Sequence, residues 1–305
     1  MPSSSAEPAS GSLGTTISWV AEQLDAAQVF YGHGTDNPWD EAVLLVLTVT
    51  GLSVDADRSV LDQGITATEL GRVKSLLCRR IEERVPLPYL LGRAWFAGLE
   101  FLCDERALVP RSPIAELVLD GFQPWYSGPE PARLLDLCCG GGAIGLAAAH
   151  YHPALRVDLA DIDAEALDLA KANCRHLSLD ARATICESDL FDSLGSARYD
   201  IILSNPPYVD ARDLSAMPAE YRHEPPQGLG SGEDGLDLTR RILARAGDFL
   251  APQGLLVVEV GNSWEALERA YPSVPFTWLS LQRGGHGVFV MSAQELQSYA
   301  ASLAS

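Results

Sequence analysis

The chain is short of basic residues. Its 305 residues carry 22 Lys and Arg against 41 Asp and Glu, a formal net charge of −19. A surface of that sign repels phosphate backbones, which tells against a protein whose task is to grip nucleic acid. It suits a basic partner, or plain solubility. The opening Met1-Pro2-Ser3-Ser4-Ser5-Ala6-Glu7 lacks the basic start and apolar run of a signal peptide, so export is not expected. Long hydrophobic runs are missing too. The longest, residues 42–52, is broken by Thr48, Thr50 and Gly51 and falls far below the ~20 residues that span a bilayer. The six cysteines (Cys78, Cys103, Cys138, Cys139, Cys174, Cys186) form no C-x-x-C pair, and read as reduced thiols of a cytoplasmic protein. The six histidines are scattered, and His150 and His152 stand too close for a helical i, i+4 metal pair, so no metal site is expected. Against these absences stand 47% hydrophobic and 21% charged residues, a globular composition long enough for two domains.

Residues 1–12, rich in Ser, Ala, Gly and Pro, read as a disordered tail. Residues 13–92 are helical in pattern and form a small N-terminal domain. Asn37-Pro38 opens one helix with Asp40 and Glu41 in its first turn, where the helix dipole favours acids. Thr66-Ala67-Thr68-Glu69 has the form of a capping box, and Leu70, Val73, Leu77 and Ile81 follow at helical spacing until Pro86 and Pro88. Between residues 93 and 112, two apolar segments around Asp104-Glu105-Arg106 predict a β-hairpin linker. Residues 113–305 alternate strands and helices. Strands are expected at 133–137, 156–160, 181–187, 199–204 and 254–260, with helices near 143–150, 163–176, 234–249 and 263–271. Short, nearly all-apolar strands alternating with helices predict a doubly wound, mainly parallel α/β domain.

Within that domain, Leu134-Leu135-Asp136-Leu137-Cys138-Cys139-Gly140-Gly141-Gly142-Ala143-Ile144-Gly145 runs from a strand through a glycine loop into a helix. Gly140 and Gly142 let the backbone pass close beneath a ligand at the sheet's carboxyl edge. Asp161, 21 residues beyond Gly140 at the end of the next strand, is placed to bond the two ribose hydroxyls of an adenosine cofactor. A structural turn with Asp161 capping the following helix is the bland alternative. The loop alone does not separate a nicotinamide enzyme from an S-adenosylmethionine enzyme. Asp136 favours the second, because it suits the cofactor's ammonium group and repels a pyrophosphate. Asp189, after the third strand, lies where it accepts from the adenine amino group.

Ser204-Asn205-Pro206-Pro207-Tyr208 follows the fourth strand. Pro206 and Pro207 hold the segment nearly rigid and fix where its carbonyls point. The Asn205 side-chain oxygen and the Pro206 carbonyl then form two acceptors that grip both hydrogens of one planar NH₂ group. That grip orients the nitrogen toward a sulfonium methyl group and stabilises the positive charge developing there. Tyr208 is able to stack on the planar group. An amide or an aromatic amine is the substrate class.

From these motifs the chain resembles the class I methyltransferases of the HemK/PrmC/PrmB family, which methylate glutamine side-chain amides at nitrogen. The resemblance covers nearly the whole chain from about residue 15. Its more specific carriers are Val109-Pro110-Arg111-Ser112-Pro113-Ile114-Ala115-Glu116-Leu117, Tyr31-Gly32-His33-Gly34-Thr35-Asp36-Asn37-Pro38-Trp39-Asp40-Glu41 and Met217-Pro218-Ala219-Glu220-Tyr221-Arg222-His223-Glu224-Pro225. The tail from Pro275-Phe276-Thr277-Trp278 to Gly284-Gly285-His286-Gly287-Val288-Phe289 joins them. These stretches are similar to the branch acting on a glutamine of large-subunit ribosomal protein three. The branch acting on the Gly-Gly-Gln loop of release factors typically reads P-R-P-x-T-E, from which Ser112–Glu116 departs.

The resemblance implies a class I, Rossmann-like S-adenosylmethionine fold with an N-terminal helical substrate-recognition domain. It implies that Asn205, Pro206, Pro207 and Tyr208 bind the target amide, and that Asp136, Gly140, Gly142, Asp161, Asp189 and Asn205 line the cofactor site. It further implies Phe101 closing over the cofactor, Arg111 and Glu116 shaping the substrate entrance, and His33 and Trp39 meeting the protein substrate. Ordinary packing or salt bridging is the alternative for each. Cys138 stands where many class I enzymes have a first glycine, and Gly145 replaces a usual alanine, an exchange expected to be harmless. His286 falls where an acid is expected. The partner is then a basic ribosomal protein met before assembly, with no nucleic acid and no membrane. An adenine-N6 methyltransferase shares the tetrapeptide but needs a basic groove, which neither the helical domain nor the segment after Tyr208 supplies. A non-catalytic module of the same fold would not need Asn205 and Asp161.

Overall fold

The computed structural model describes residues 11–282 and 284–303, which fall into two compact units. The first comprises the N-terminal region to Ala94 together with Pro218–His223; the second comprises Trp95–Met217 and Glu224 onward. Residues 1–10 of the expected tail lie outside the described residues. Ser12, assigned to that tail above, caps a helix instead.

In the first unit, helix α1 (Leu13–Ala26) starts where the Ser12 side chain accepts from the Thr15 amide, and it buries Leu13, Ile17, Val20 and Leu24 along one stripe. Helix α2 (Pro38–Val49) is capped by Asn37, whose Oδ1 accepts from the Asp40 amide at 2.9 Å. Helix α3 (Ala67–Cys78) opens on the reciprocal Thr66–Glu69 capping box and buries Leu70, Val73 and Leu77. Ile81, partly buried, packs against the same core, as its spacing predicts. A π-helical turn over Arg79–Glu83 widens the helix there and brings Arg80 inward as well, leaving it 2% exposed. Its Nε donates to Glu41 at 2.6 Å, its Nη1 to Glu220 at 3.2 Å and its Nη2 to the Phe30 carbonyl at 2.7 Å. Glu220 also accepts from the Phe30 amide at 2.9 Å, and His223 is bonded to the Glu83 carbonyl at 2.8 Å, which fastens the Pro218–His223 segment. The short helix α4 (Leu87–Leu91) follows.

Strands β1 (Arg93–Phe96) and β2 (Leu99–Leu102) form a two-stranded sheet. Its turn is Ala97-Gly98, both at positive φ (49° and 79°), not Asp104-Glu105-Arg106 as expected. Two left-handed residues match the twist of a tight hairpin. Asp104 instead folds back on Arg106, accepting from its amide and guanidinium, and residues 107–110 form no strand.

The second unit continues with helix α5 (Ile114–Leu119), strand β3 (Arg133–Leu137), helix α6 (Ala143–Tyr151), strand β4 (Arg156–Asp161), helix α7 (Ala164–His176), strand β5 (Ala183–Glu187) and strand β6 (Tyr199–Ser204). Then come helices α8 (Ala211–Ala216) and α9 (Asp237–Arg245), strand β7 (Leu250–Glu259), helix α10 (Trp264–Ala270), strands β8 (Thr277–Trp278) and β9 (Val288–Ser292), and helices α11 (Ala293–Ser298) and α12 (Ala300–Leu303). The seven strands lie in the order β5-β4-β3-β6-β7-β9-β8. The first five are parallel; β9 runs antiparallel to β7, and β8 runs antiparallel to β9, so β9 is the one reversed strand of the seven. This is the doubly wound, mainly parallel α/β arrangement expected from the sequence. The antiparallel edge was absent from the expected strands; there Phe289 of β9 packs on Phe276 at 5.0 Å and on Trp278 of β8 at 5.6 Å. Both sheet faces are covered: Leu134, Ile201, Leu203 and Val257 face one core, and Leu135, Leu137, Ile202, Leu256 and Val258 the other. Among the described residues no helix is long and apolar enough to cross a membrane.

The chain reverses direction across β3, since β4 and β5 lie on one side and β6 and β7 on the other. Ligands of open α/β sheets bind outside the strand ends at such a point. Leu137 pairs with Ser204 there, so the glycine loop and the Asn-Pro-Pro-Tyr segment leave the sheet side by side.

Candidate active site

The glycine loop turns through three positive-φ residues, Cys138 (59°), Gly140 (51°) and Gly142 (80°), before α6 begins. Gly140 and Gly142 supply that backbone freely, whereas Cys138 adopts it as a non-glycine residue, against the Ser204 hydroxyl. Asp161 reaches the loop directly: its Oδ2 accepts from the Gly140 amide at 2.8 Å and its Oδ1 from the Asp163 amide at 3.0 Å. Burial raises its pKa, and those amide bonds hold the rise in check.

Asp136, expected to meet the cofactor's ammonium group, is a buried carboxylate. It is 0% exposed, under the loop, with Oδ2 accepting from the Gly145 amide at 2.7 Å. Its Oδ1 is buried without a protein partner. At Gly145 the packing leaves no room for the usual alanine. A Cβ there would lie 2.5 Å from Leu159 Cδ2 and 2.8 Å from Asp136 Cβ, both in the packed core.

The tetrapeptide is anchored at both ends. The Ser204 hydroxyl donates to the Leu137 carbonyl at 2.8 Å, which ties the start of the segment to β3. Pro206 is buried, while Asn205, Pro207 and Tyr208 are half-buried. The Tyr208 hydroxyl donates to Glu259 at 2.9 Å and its carbonyl accepts from Ser263 at 2.8 Å. Glu259, at the end of β7, was missed by sequence reasoning. The signal available was an acid closing the all-apolar run Leu255-Leu256-Val257-Val258.

The methyltransferase small domain family matches residues 117–220. The ribosomal protein uL3 glutamine methyltransferase of Francisella tularensis is 43% identical over 93% of this chain and 90% of its own length. That of Neisseria gonorrhoeae is 42% identical over 92% of this chain and 94% of its own. The chain belongs to this family of glutamine methyltransferases. It is an enzyme of methyl transfer. A methyltransferase structure from Pyrococcus furiosus is 16% identical, with a TM-score of 0.46 over 75% of this chain and 99% of that one.

Within this glutamine methyltransferase, several expected site residues have partners in the fold itself. Asp189 is paired with Arg241 at 2.9 Å, a partner the sequence did not suggest. Phe101 is 1% exposed and lies edge-on to Phe96 in the core, the hairpin packing set beside the cofactor role above. Arg111 makes a two-pronged bond to the buried carboxylate of Glu224 at 2.5 and 2.7 Å, and Glu116 accepts from the Gln282 amide at 2.9 Å. Arg111 thus makes the salt bridge set beside the entrance role, and Glu116 holds a backbone amide. His33 is buried against the Tyr221 ring at 4.7 Å, whereas Trp39 is 45% exposed. His286 is bonded to the Asn262 side chain at 2.8 Å.

Proposed function

We propose that the chain transfers a methyl group from S-adenosyl-L-methionine to the side-chain N5 of a glutamine in ribosomal protein uL3, giving N5-methylglutamine and S-adenosylhomocysteine. The observation that carries it is the pairing of Leu137 with Ser204, which sets Asn205 beside the glycine loop. The 42–43% identity to uL3 glutamine methyltransferases supports the choice of substrate.

The donor set fits the cofactor's chemistry. Asp161 offers a carboxylate to a ribose diol at the loop. The buried Oδ1 of Asp136 is an acceptor for a cation arriving over Gly140, whereas a pyrophosphate meets two carboxylates there. Asp189, on Arg241, offers its remaining acceptor positions to the adenine amino group. S-adenosylmethionine supplies, when bound, a methyl group on a positively charged sulfur.

Asn205 Oδ1 and the Pro206 carbonyl hold the two hydrogens of the glutamine amide, with the Tyr208 ring against its plane. This orients the nitrogen and stabilises the positive charge it gains, and one amide hydrogen then leaves as a proton. An amide is a weak nucleophile, so positioning and charge stabilisation carry the rate. The net charge of −19 favours uL3 as a free basic protein over uL3 already bound to RNA.

Asn205→Ala tests the grip. S-adenosylmethionine affinity, measured by calorimetry, should stay near wild type while kcat falls by about 10²–10³-fold. Unchanged turnover would remove Asn205 from the mechanism. Running uL3 beside a release factor as substrates separates the two branches of glutamine methyltransferases.

A further inference from the structure

Tyr208 is held by more than its own turn. At the backbone, Ser263 Oγ donates to its carbonyl at 2.8 Å. At the ring, the Gly261 backbone lies so close that a Cβ there would sit 2.5 Å from Tyr208 Cε2. At the tip, the hydroxyl donates to Glu259 Oε1 at 2.9 Å. Glu259 is itself buried and clamped on its other oxygen, where Ser112 Oγ donates at 2.6 Å. Ser112 in turn accepts from the Ile114 amide in the first turn of α5, at 3.2 Å. A continuous hydrogen-bonded line therefore runs from α5 through Ser112 and Glu259 to the phenol of the tetrapeptide.

The placement of Glu259 is set by the sheet. Val258 pairs with Ser204, so the next residue of β7 stands level with Asn205 at the same strand ends. A carboxylate in so dry a position is costly unless each oxygen is hydrogen-bonded. Ser112 and Tyr208 meet that need with one donor each. A phenol that donates to a fixed carboxyl group cannot swing about its Cα–Cβ bond without breaking the bond, so the ring keeps one face toward the amide site.

We propose that Glu259 is a positioning residue for methyl transfer: with Ser112 behind it, it fixes the Tyr208 ring against which the glutamine amide lies. The inference rests on the reading under Proposed function. Glu259 touches neither substrate nor cofactor and acts through Tyr208.

Glu259→Gln keeps the shape and changes the acceptor, and Tyr208→Phe removes the donor. Each should lower kcat on uL3 by about tenfold or more, while the KM for uL3 and the affinity for S-adenosylmethionine stay within about twofold. Because both act on one bond, the double variant should lose no more than the worse single variant. Ser112→Ala, at the outer end, should lower kcat in the same direction by a smaller factor, and decides the matter if Glu259→Gln does not fold. A second readout needs no substrate. The ¹⁹F resonance of 3-fluorotyrosine placed at position 208 should shift or broaden in Glu259→Gln and Ser112→Ala. Wild-type kcat in Glu259→Gln, multiplying losses in the double variant, or an unmoved ¹⁹F resonance would each overturn the inference. If the wild-type chain fails to methylate uL3, the functional reading fails, and the ¹⁹F comparison still decides this one.

Discussion

Asp136 has no access to water, a single amide donor on Oδ2, and a buried Oδ1 with no protein partner. Burial pushes its pKa up to about 7; the Gly145 amide works against the rise and the Asp161 charge adds to it. In the unfolded chain the same group titrates near the ordinary aspartate value of about 3.9. Between those values the folded protein binds more protons than the unfolded one, so stability is greatest at the acid end and is lost as pH rises toward 7. Asp136→Asn keeps an acceptor for Gly145 and removes the titration. Wild type should therefore lose Tm relative to this variant between pH 5 and pH 7, and parallel Tm curves would show that Asp136 does not titrate there.

Among the elements, the turn that rotates Arg80 inward is the one most exposed to a single change. Its guanidinium neutralises Glu41 and Glu220 together, all three buried, and Glu220 brings in the Pro218–His223 segment. Arg80→Ala leaves the buried Glu41 with the Thr35 hydroxyl alone and Glu220 with Arg84 and the Phe30 amide, and should cost about 3–5 kcal/mol in urea unfolding, with faster proteolytic cutting within 218–223. A loss below about 1 kcal/mol would make this cluster a surface-like pair. Little of it was legible beforehand. Apolar periodicity continued to Ile81, and a widened turn is decided by which partners an arginine finds across the fold. The parallel strands were legible, because a strand buried on both faces has to be a nearly unbroken apolar run, as Ile201-Ile202-Leu203 is at the centre of β6. The hairpin turn was not, since Ala97-Gly98 carries a weaker signal than Asp104-Glu105-Arg106. The site divides in the same way. The Asn-Pro-Pro-Tyr segment and Asp161 announce themselves by residue type and order. Ser112, Glu259 and Arg241 are ordinary residues whose partners stand 147, 51 and 52 positions away at Glu259, Tyr208 and Asp189.

At the scale of the whole molecule, the charge of −19 is the property that bears on the partner. A basic ribosomal protein free of RNA is drawn to such a surface, and a finished ribosomal particle is repelled by it. kcat/KM on isolated uL3 should fall severalfold as ionic strength rises from about 0.05 to 0.5 M, where the screening length shrinks to a few ångströms. Indifference to salt, or faster transfer on assembled subunits, would reduce the charge to a matter of solubility. The central claim is glutamine methylation of uL3, and its most direct test is mass mapping of uL3 and a release factor after incubation with the enzyme and isotopically labelled S-adenosylmethionine. The account predicts one labelled methyl group on the side-chain nitrogen of one uL3 glutamine. Label on the release factor with none on uL3, or on an atom other than a glutamine amide nitrogen, would contradict it.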